Sequence, residues 1–272
     1  MHSNRIIRPP FEKRSINLKV TSGCSHNNCK FCNYYRTAIF NVSSYEEITE
    51  DLKNLKEEKV SYKRVWLLSA DAFSLDYDKL YNIGTLIQKH LPYISSIGCY
   101  ARVDSLQNKS TSQLKKLKKI GYDSIVFGIE SCDDYILEYM NKGYTSKEVL
   151  RQLKKMDNSC MKYTVIFLNG LCGHSYGLNH AIKTAQLFNK LKPERIMINR
   201  LIIHKDTPLY SEVKNKKFFS ANREECLKEL ITFIDKLEID TFIDATNSTN
   251  IIQFFGNTKN KDVMINKLKN NF

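Results

Sequence analysis

No stretch of about 18 consecutive apolar residues occurs in the chain, so a membrane-crossing helix is not expected. The first ten residues are polar and basic and lack the apolar segment of a secretory signal. The protein is therefore expected in the cytoplasm, away from membranes. Gly-x-Gly-x-x-Gly, the Walker phosphate loop and Gly-x-Ser-x-Gly are all missing, which excludes dinucleotide-dehydrogenase, P-loop and serine-hydrolase readings. His90, His174, His180 and His204 show no His-x-x-x-His spacing. No low-complexity linker interrupts the sequence, and the second pair of ligands that structural zinc loops usually add is missing.

What is present fits one barrel-sized α/β domain: 272 residues, 42% of them hydrophobic and 11% aromatic. Eight cysteines in a chain expected to stay unsecreted argue for thiols and metal, not disulfides. The formal charge is +13, but Lys outnumbers Arg and accompanies abundant Asn and Ile, the mark of an AT-rich coding bias. Runs such as Lys115-Lys116-Leu117-Lys118-Lys119 read as solvated helix faces. The basic surface suits RNA and equally an acidic electron donor of flavodoxin or ferredoxin type.

Ile16, Leu18 and Val20 alternate with polar residues and predict a first strand over Ser15 to Thr21. Capping-box spacing at Ser44 to Glu47, with Ile48, Leu52 and Leu55 on one face, predicts a helix to about Lys59. The alternation then repeats. Strands are expected at 64–68, 94–100, 124–129, 161–168 and 195–203, and helices at 77–90, from Ser110 to Gly121, at 133–140, at 145–156 and at 178–191. Six strand-then-helix repeats call for a parallel sheet with helices outside it, curled by right-handed crossovers into an open six-stranded three-quarter (βα)6 TIM barrel. Residues 1–210 form this core. Residues 211–272 are expected to be a helical and extended flank packed on it, with a helix at 223–237 and a Thr/Asn-rich piece to Phe255.

In such barrels reacting groups sit on loops at the C-terminal ends of the strands. Polar punctuation falls at those ends: Cys24, Cys29 and Cys32; Asp71; Arg102 and Asp104; Glu130 and Ser131; Asn169 and Gly170; Asn199 and Arg200. The three cysteines lie within nine residues, with four residues between the first two and two between the last two, so one loop can fold all three sulfurs onto one metal. Three thiolates leave one iron of a [4Fe-4S] cubane without a protein ligand, whereas clusters that only carry electrons usually have four. The alternative is a structural zinc site of Cys24, His26, Cys29 and Cys32 in a basic RNA-binding protein without catalysis. Cys99, Cys132 and Cys172 near three further strand ends suit an auxiliary cluster or, as isolated cysteines, the core.

The loop resembles the cluster motif of radical S-adenosylmethionine (SAM) enzymes, in the longer form Gly-Cys-Ser-His-Asn-x-Cys-x-Phe-Cys of uncharacterised bacterial members near the coproporphyrinogen-oxidase-like branch. The resemblance covers most of residues 5–210 and is strongest in the cysteine loop. It implies that Cys24, Cys29 and Cys32 hold a [4Fe-4S] cluster whose free iron chelates SAM, and that reductive cleavage of SAM gives a 5′-deoxyadenosyl radical that takes hydrogen from a substrate. Ser69-Ala70-Asp71 looks like the family's Gly-Gly-Glu or Gly-Asp-Ala element, which receives the SAM ammonium; only Asp71 matches in side-chain type. Gly128-Ile129-Glu130-Ser131, followed by Asn141-Lys142-Gly143, resembles the segment that reaches the ribose and methionyl part of SAM, with Cys132-Asp133 in place of Gly-Ser. By the same likeness Arg102 and Arg200 are candidate SAM contacts, and Val165 to Gly170 a wall for adenine. Each has a structural alternative: a helix cap at Asp71 or Ser131, a solvated Glu130, and an Arg102–Asp104 ion pair.

Overall fold

The computed structural model of the chain describes residues 7–58 and 62–272, so the expected helix end near Lys59 lies outside the described residues. In chain order the regular elements are β1 (Ile16–Lys19), β2 (Thr21–Ser22), β3 (Asn41–Val42), α1 (Tyr45–Glu57), β4 (Arg64–Leu68), α2 (Tyr77–His90), β5 (Ser96–Ala101), α3 (Thr111–Lys119), β6 (Ile125–Glu130), α4 (Asp134–Tyr139), α5 (Ser146–Ser159), β7 (Tyr163–Asn169), α6 (Gly177–Phe188), β8 (Arg195–Arg200), α7 (Pro208–Lys214), α8 (Arg223–Asp235), β9 (Phe242–Asp244), β10 (Phe255–Asn257) and α9 (Lys261–Lys269).

The main sheet runs β1-β4-β5-β6-β7-β8-β9-β10. The α/β class with a mostly parallel sheet is as expected, but the sheet has eight strands among the described residues, not six. β9 pairs parallel with β8, and β10 returns antiparallel to β9. Three-residue strands are too short for alternation to reveal them.

By backbone contacts the chain divides into two compact units. The first comprises the described residues up to Asn27, Tyr35–Phe127 and Lys154–Tyr163; the second comprises Asn28–Tyr34, Gly128–Leu153 and Thr164–Phe272.

In the first unit β1 pairs parallel with β4, and β4 with β5. β4 buries Val65, Trp66 and Leu67 in succession, the continuous apolar run of a strand covered on both faces. Helices pack by one stripe: Leu80, Ile83 and Ile87 of α2 are fully buried, each contributing about 1.5–3 kcal/mol. Capping boxes at Ser44/Glu47 and Ser110/Gln113 satisfy the first N–H groups of α1 and α3. At the start of β4, Arg64 Nε donates to both carboxylate oxygens of Glu12 at 2.9 and 2.8 Å. Gly98 makes room for that guanidinium, since a Cβ there would lie 2.1 Å from it.

In the second unit β7 is buried along its whole length. Phe167 stacks between Phe233 of α8, at 3.9 Å between centroids, and His180 of α6, at 5.0 Å. The segment after residue 210 thus supplies α8 to this core, together with β9 and β10.

Candidate functional site

The cysteine loop is closed at its base by the β2–β3 ladder, Thr21 opposite Val42 and Ser22 opposite Asn41. Gly23 enters the loop at φ +73°, and a Cβ there would approach Ile39 O to 2.9 Å, so the position is reserved for glycine. Asn27, also left-handed, ties the loop together by donating from Nδ2 to Tyr35 O at 2.7 Å and Ala38 O at 3.4 Å.

Cys24 stands in the first unit, and its Sγ accepts the Asn27 N–H at 3.5 Å. Burial pushes this thiol above its ordinary value; the Asn27 and His26 N–H groups pull it back, Asp71 adds to the rise, and Arg102 opposes it. Asp71, 1% exposed, follows β4. Its Oδ1 accepts the Arg102 backbone N–H at 3.0 Å and the Ser105 hydroxyl at 2.6 Å, and its Oδ2 accepts the Ser25 hydroxyl at 2.5 Å. Burial holds the carboxyl above the usual carboxylate range despite these bonds. Asp71 does not cap a helix through its side chain; instead Ser74 Oγ donates to its carbonyl at 2.7 Å.

Ser69 adopts φ 103°, a conformation suited to the glycine that the family element carries there. Its hydroxyl donates to Gly23 O at 2.5 Å, a bond glycine cannot make. Arg102 pairs with Asp104 at 3.0 Å, with the guanidinium side chain buried. A polar cavity of about 240 Å³ opens beside this group, lined by Ser25, Asp71, Asp104, Ser105 and Lys109 among others. Lys109 is buried, donates to Phe73 O at 3.0 Å and Ser105 O at 2.9 Å, and is lowered by burial to about 8. Sequence reasoning missed Ser25, Ser105 and Lys109; isolated serines and a lysine in a lysine-rich chain carry no periodic signal.

Cys29 and Cys32 belong to the second unit, joined by a turn in which Cys32 N–H donates to Cys29 O at 3.3 Å. Between them Lys30 is clamped by backbone bonds, donating to Met140 O and accepting from Leu209 N–H, each at 3.1 Å. Its ammonium pairs with Glu212 at 2.8 Å. None of the three loop cysteines is in a disulfide, and each is of intermediate exposure; thiolates are the donors that a soft metal centre takes.

Glu130, at φ 65°, ends β6 and is buried in a close ion pair with Lys142. Lys142 also donates to Gly128 O at 2.9 Å, as does the Tyr144 hydroxyl at 2.9 Å. The solvated alternative for Glu130 is thereby overturned: twelve residues on, the chain returns a buried cation to it. Ser131 is fully buried and its Oγ accepts the Asp133 N–H at 3.0 Å. It is not the helix cap; Asp133 caps α4, accepting from Tyr135 N–H at 3.1 Å. Arg200 Nε donates to Thr249 O at 2.9 Å, which gives the Asn247-Ser248-Thr249-Asn250 segment a task at the end of β8. Asn169 donates to Cys226 O at 3.0 Å and Gly170 N–H to Glu229 Oε2 at 2.9 Å, so the end of β7 is tied to α8. Thr207 caps α7, with Pro208 in its first turn. Cys99 is a buried core residue of β5, opposite Leu67.

Among the described residues, no helix is long and apolar enough to cross a membrane. A family model described as the radical SAM superfamily matches residues 18–185, more than half of the chain. An uncharacterised protein of Methanocaldococcus jannaschii is 21% identical over 244 residues, 85% of this chain and 74% of that protein. The heme chaperone HemW of Bacillus subtilis is 21% identical over 226 residues, 79% of this chain and 58% of that protein. Among solved structures, the radical SAM methyltransferase TsrM from Kitasatospora setae, with cobalamin and a [4Fe-4S] cluster bound, aligns with a TM-score of 0.59 at 14% identity, over 74% of this chain and 39% of that one. The chain thus spans less than two thirds of HemW and of TsrM, and the likeness to TsrM is one of fold. With its cysteine loop inside the matched residues, the chain belongs to the radical SAM superfamily, enzymes that bind a [4Fe-4S] cluster and SAM.

Proposed function

We propose that Cys24, Cys29 and Cys32 hold a [4Fe-4S] cluster by three thiolates, leaving one iron to chelate the amino and carboxylate groups of SAM. The observation that supports this most is three cysteines outside disulfides on one loop that a ladder and a reserved glycine close at its base. Bound there and reduced by one electron, the cluster supplies cleavage of SAM to methionine and a 5′-deoxyadenosyl radical, which takes a hydrogen atom from substrate.

The chain's own residues prepare the ligand's place. Asp71 has three of its roughly four acceptor sites filled. Asp71 also lines the polar cavity, and its remaining site suits an ammonium, together with the carbonyls of the Ser69 to Asp71 turn. Arg102, fixed by Asp104, offers a guanidinium to a carboxylate. Glu130, held by Lys142, and Ser131 are assigned to the ribose end, and Arg200 to a carboxylate beyond β8. An acidic flavodoxin- or ferredoxin-like donor supplies the electron, drawn to a chain with formal charge +13.

Anaerobic reconstitution with iron and sulfide, followed by metal analysis and a visible spectrum, tests the assignment. The reading requires about four irons per chain and a broad charge-transfer spectrum that is lost when any of the three cysteines is replaced. A colourless protein with one zinc on Cys24, His26, Cys29 and Cys32 would favour the non-catalytic alternative.

A further inference from the structure

Glu229 of α8 is fully buried, and among the described residues no lysine or arginine pairs with it. Its Oε2 accepts the Gly170 N–H at 2.9 Å, and its Oε1 lies 2.7 Å from Nδ1 of His180, itself fully buried on α6. Among the described residues, the Nε2 of that imidazole has no hydrogen-bond partner. A buried ring nitrogen without a partner and a buried carboxylate with no lysine or arginine beside it leave room for a cation between them. The thiol of Cys172, on the loop after β7, completes the group: one ligand atom from each of Cys172, His180 and Glu229 lies within 4.8 Å of the others.

Glycine makes the space. A Cβ at Gly177 would sit 3.1 Å from Glu229 Oε2, so the first residue of α6 leaves room for this carboxylate. Cys172 is the only one of the three that is partly exposed, which gives an ion a way in.

We propose that Cys172, His180 and Glu229 form a mononuclear site for a divalent ion of the zinc class, separate from the cysteine loop. Thiolate, imidazole and carboxylate are the donors such an ion takes, and three of them leave a fourth position to water. On binding, Cys172 releases its thiol proton to solvent, and the ion supplies the positive charge that Glu229 lacks. The ion would join the loop after β7 to α6 and α8.

The test is a cobalt(II) titration, under anaerobic conditions, of the full chain carrying C24A, C29A and C32A, so that neither failure nor success of the cluster reading affects it. A single cobalt with thiolate-to-metal charge-transfer absorption, displaced by zinc, is expected. Adding C172S removes the charge-transfer band, E229Q weakens binding by about tenfold or more, and C160S, at an exposed cysteine, changes nothing. Far-UV circular dichroism without metal checks that each variant is folded. Absence of the band before C172S is introduced, or its survival unchanged in folded C172S protein, overturns the proposal.

Discussion

Ser25, the residue after Cys24, donates its hydroxyl to Oδ2 of Asp71 at 2.5 Å. A loop residue adjoining a proposed cluster ligand is thus held by a buried carboxylate that follows β4, and the same carboxylate holds the backbone N–H of Arg102 after β5. Three strand ends are coordinated by one side chain.

Because burial raises the Asp71 carboxyl, the folded chain binds this proton more readily than the unfolded chain. The linked stability is present below the unfolded value and is lost as pH rises through the folded one. At neutral pH the charge is therefore a net cost. D71N is expected to unfold in urea at the same or a higher concentration than wild type, while its affinity for SAM falls by about tenfold or more, as a single charged contact of about 1.5–3 kcal/mol requires. Calorimetric titration alongside urea melts checks both. Unchanged SAM affinity would remove Asp71 from the binding site.

Lys109 gives an opposite trend. Lowered by burial from 10.5 to about 8, it loses its proton earlier in the folded chain, so stability rises as pH climbs through that window, by about 3 kcal/mol in total. Urea unfolding across the same range should show this rise in wild type and a flatter profile in K109M.

Glu130 and Lys142 form a buried pair. Removing one charge strands the other, so E130Q or K142M should each cost about 3–5 kcal/mol, and the double variant much less than their sum. Chemical denaturation of the three variants measures the coupling. Additive losses would mean that the two side chains act independently.

At Ser69, alanine keeps the unfavourable φ of 103° and loses the hydroxyl bond to Gly23 O. Glycine loses the bond but relieves about 1–2 kcal/mol of backbone cost. S69A is accordingly expected to melt below S69G, a ranking that differential scanning calorimetry can read directly.

The strands and helices of the core were legible because their apolar residues recur at simple periods. β4 and α2 fall at the residues that the pattern predicts, and the boxes at Ser44 and Ser110 form as expected. β9 and β10 were not legible, since three residues carry no period. The strand-end positions of Asp71, Arg102 and Glu130 could be read, but their partners could not. Lys142 meets Glu130 only after the chain passes through α4, and Glu229 meets Gly170 across 59 residues. The cap of α4 moved from Ser131 to Asp133 because Ser131 Oγ accepts the Asp133 N–H and shapes the turn before the helix.

The most direct measurement is product analysis of the reconstituted chain incubated anaerobically with dithionite and SAM. The account predicts 5′-deoxyadenosine and methionine from wild type, and neither from C24S, C29S or C32S. Chain carrying its full complement of iron that yields no 5′-deoxyadenosine, or a cysteine variant that still does, would contradict it.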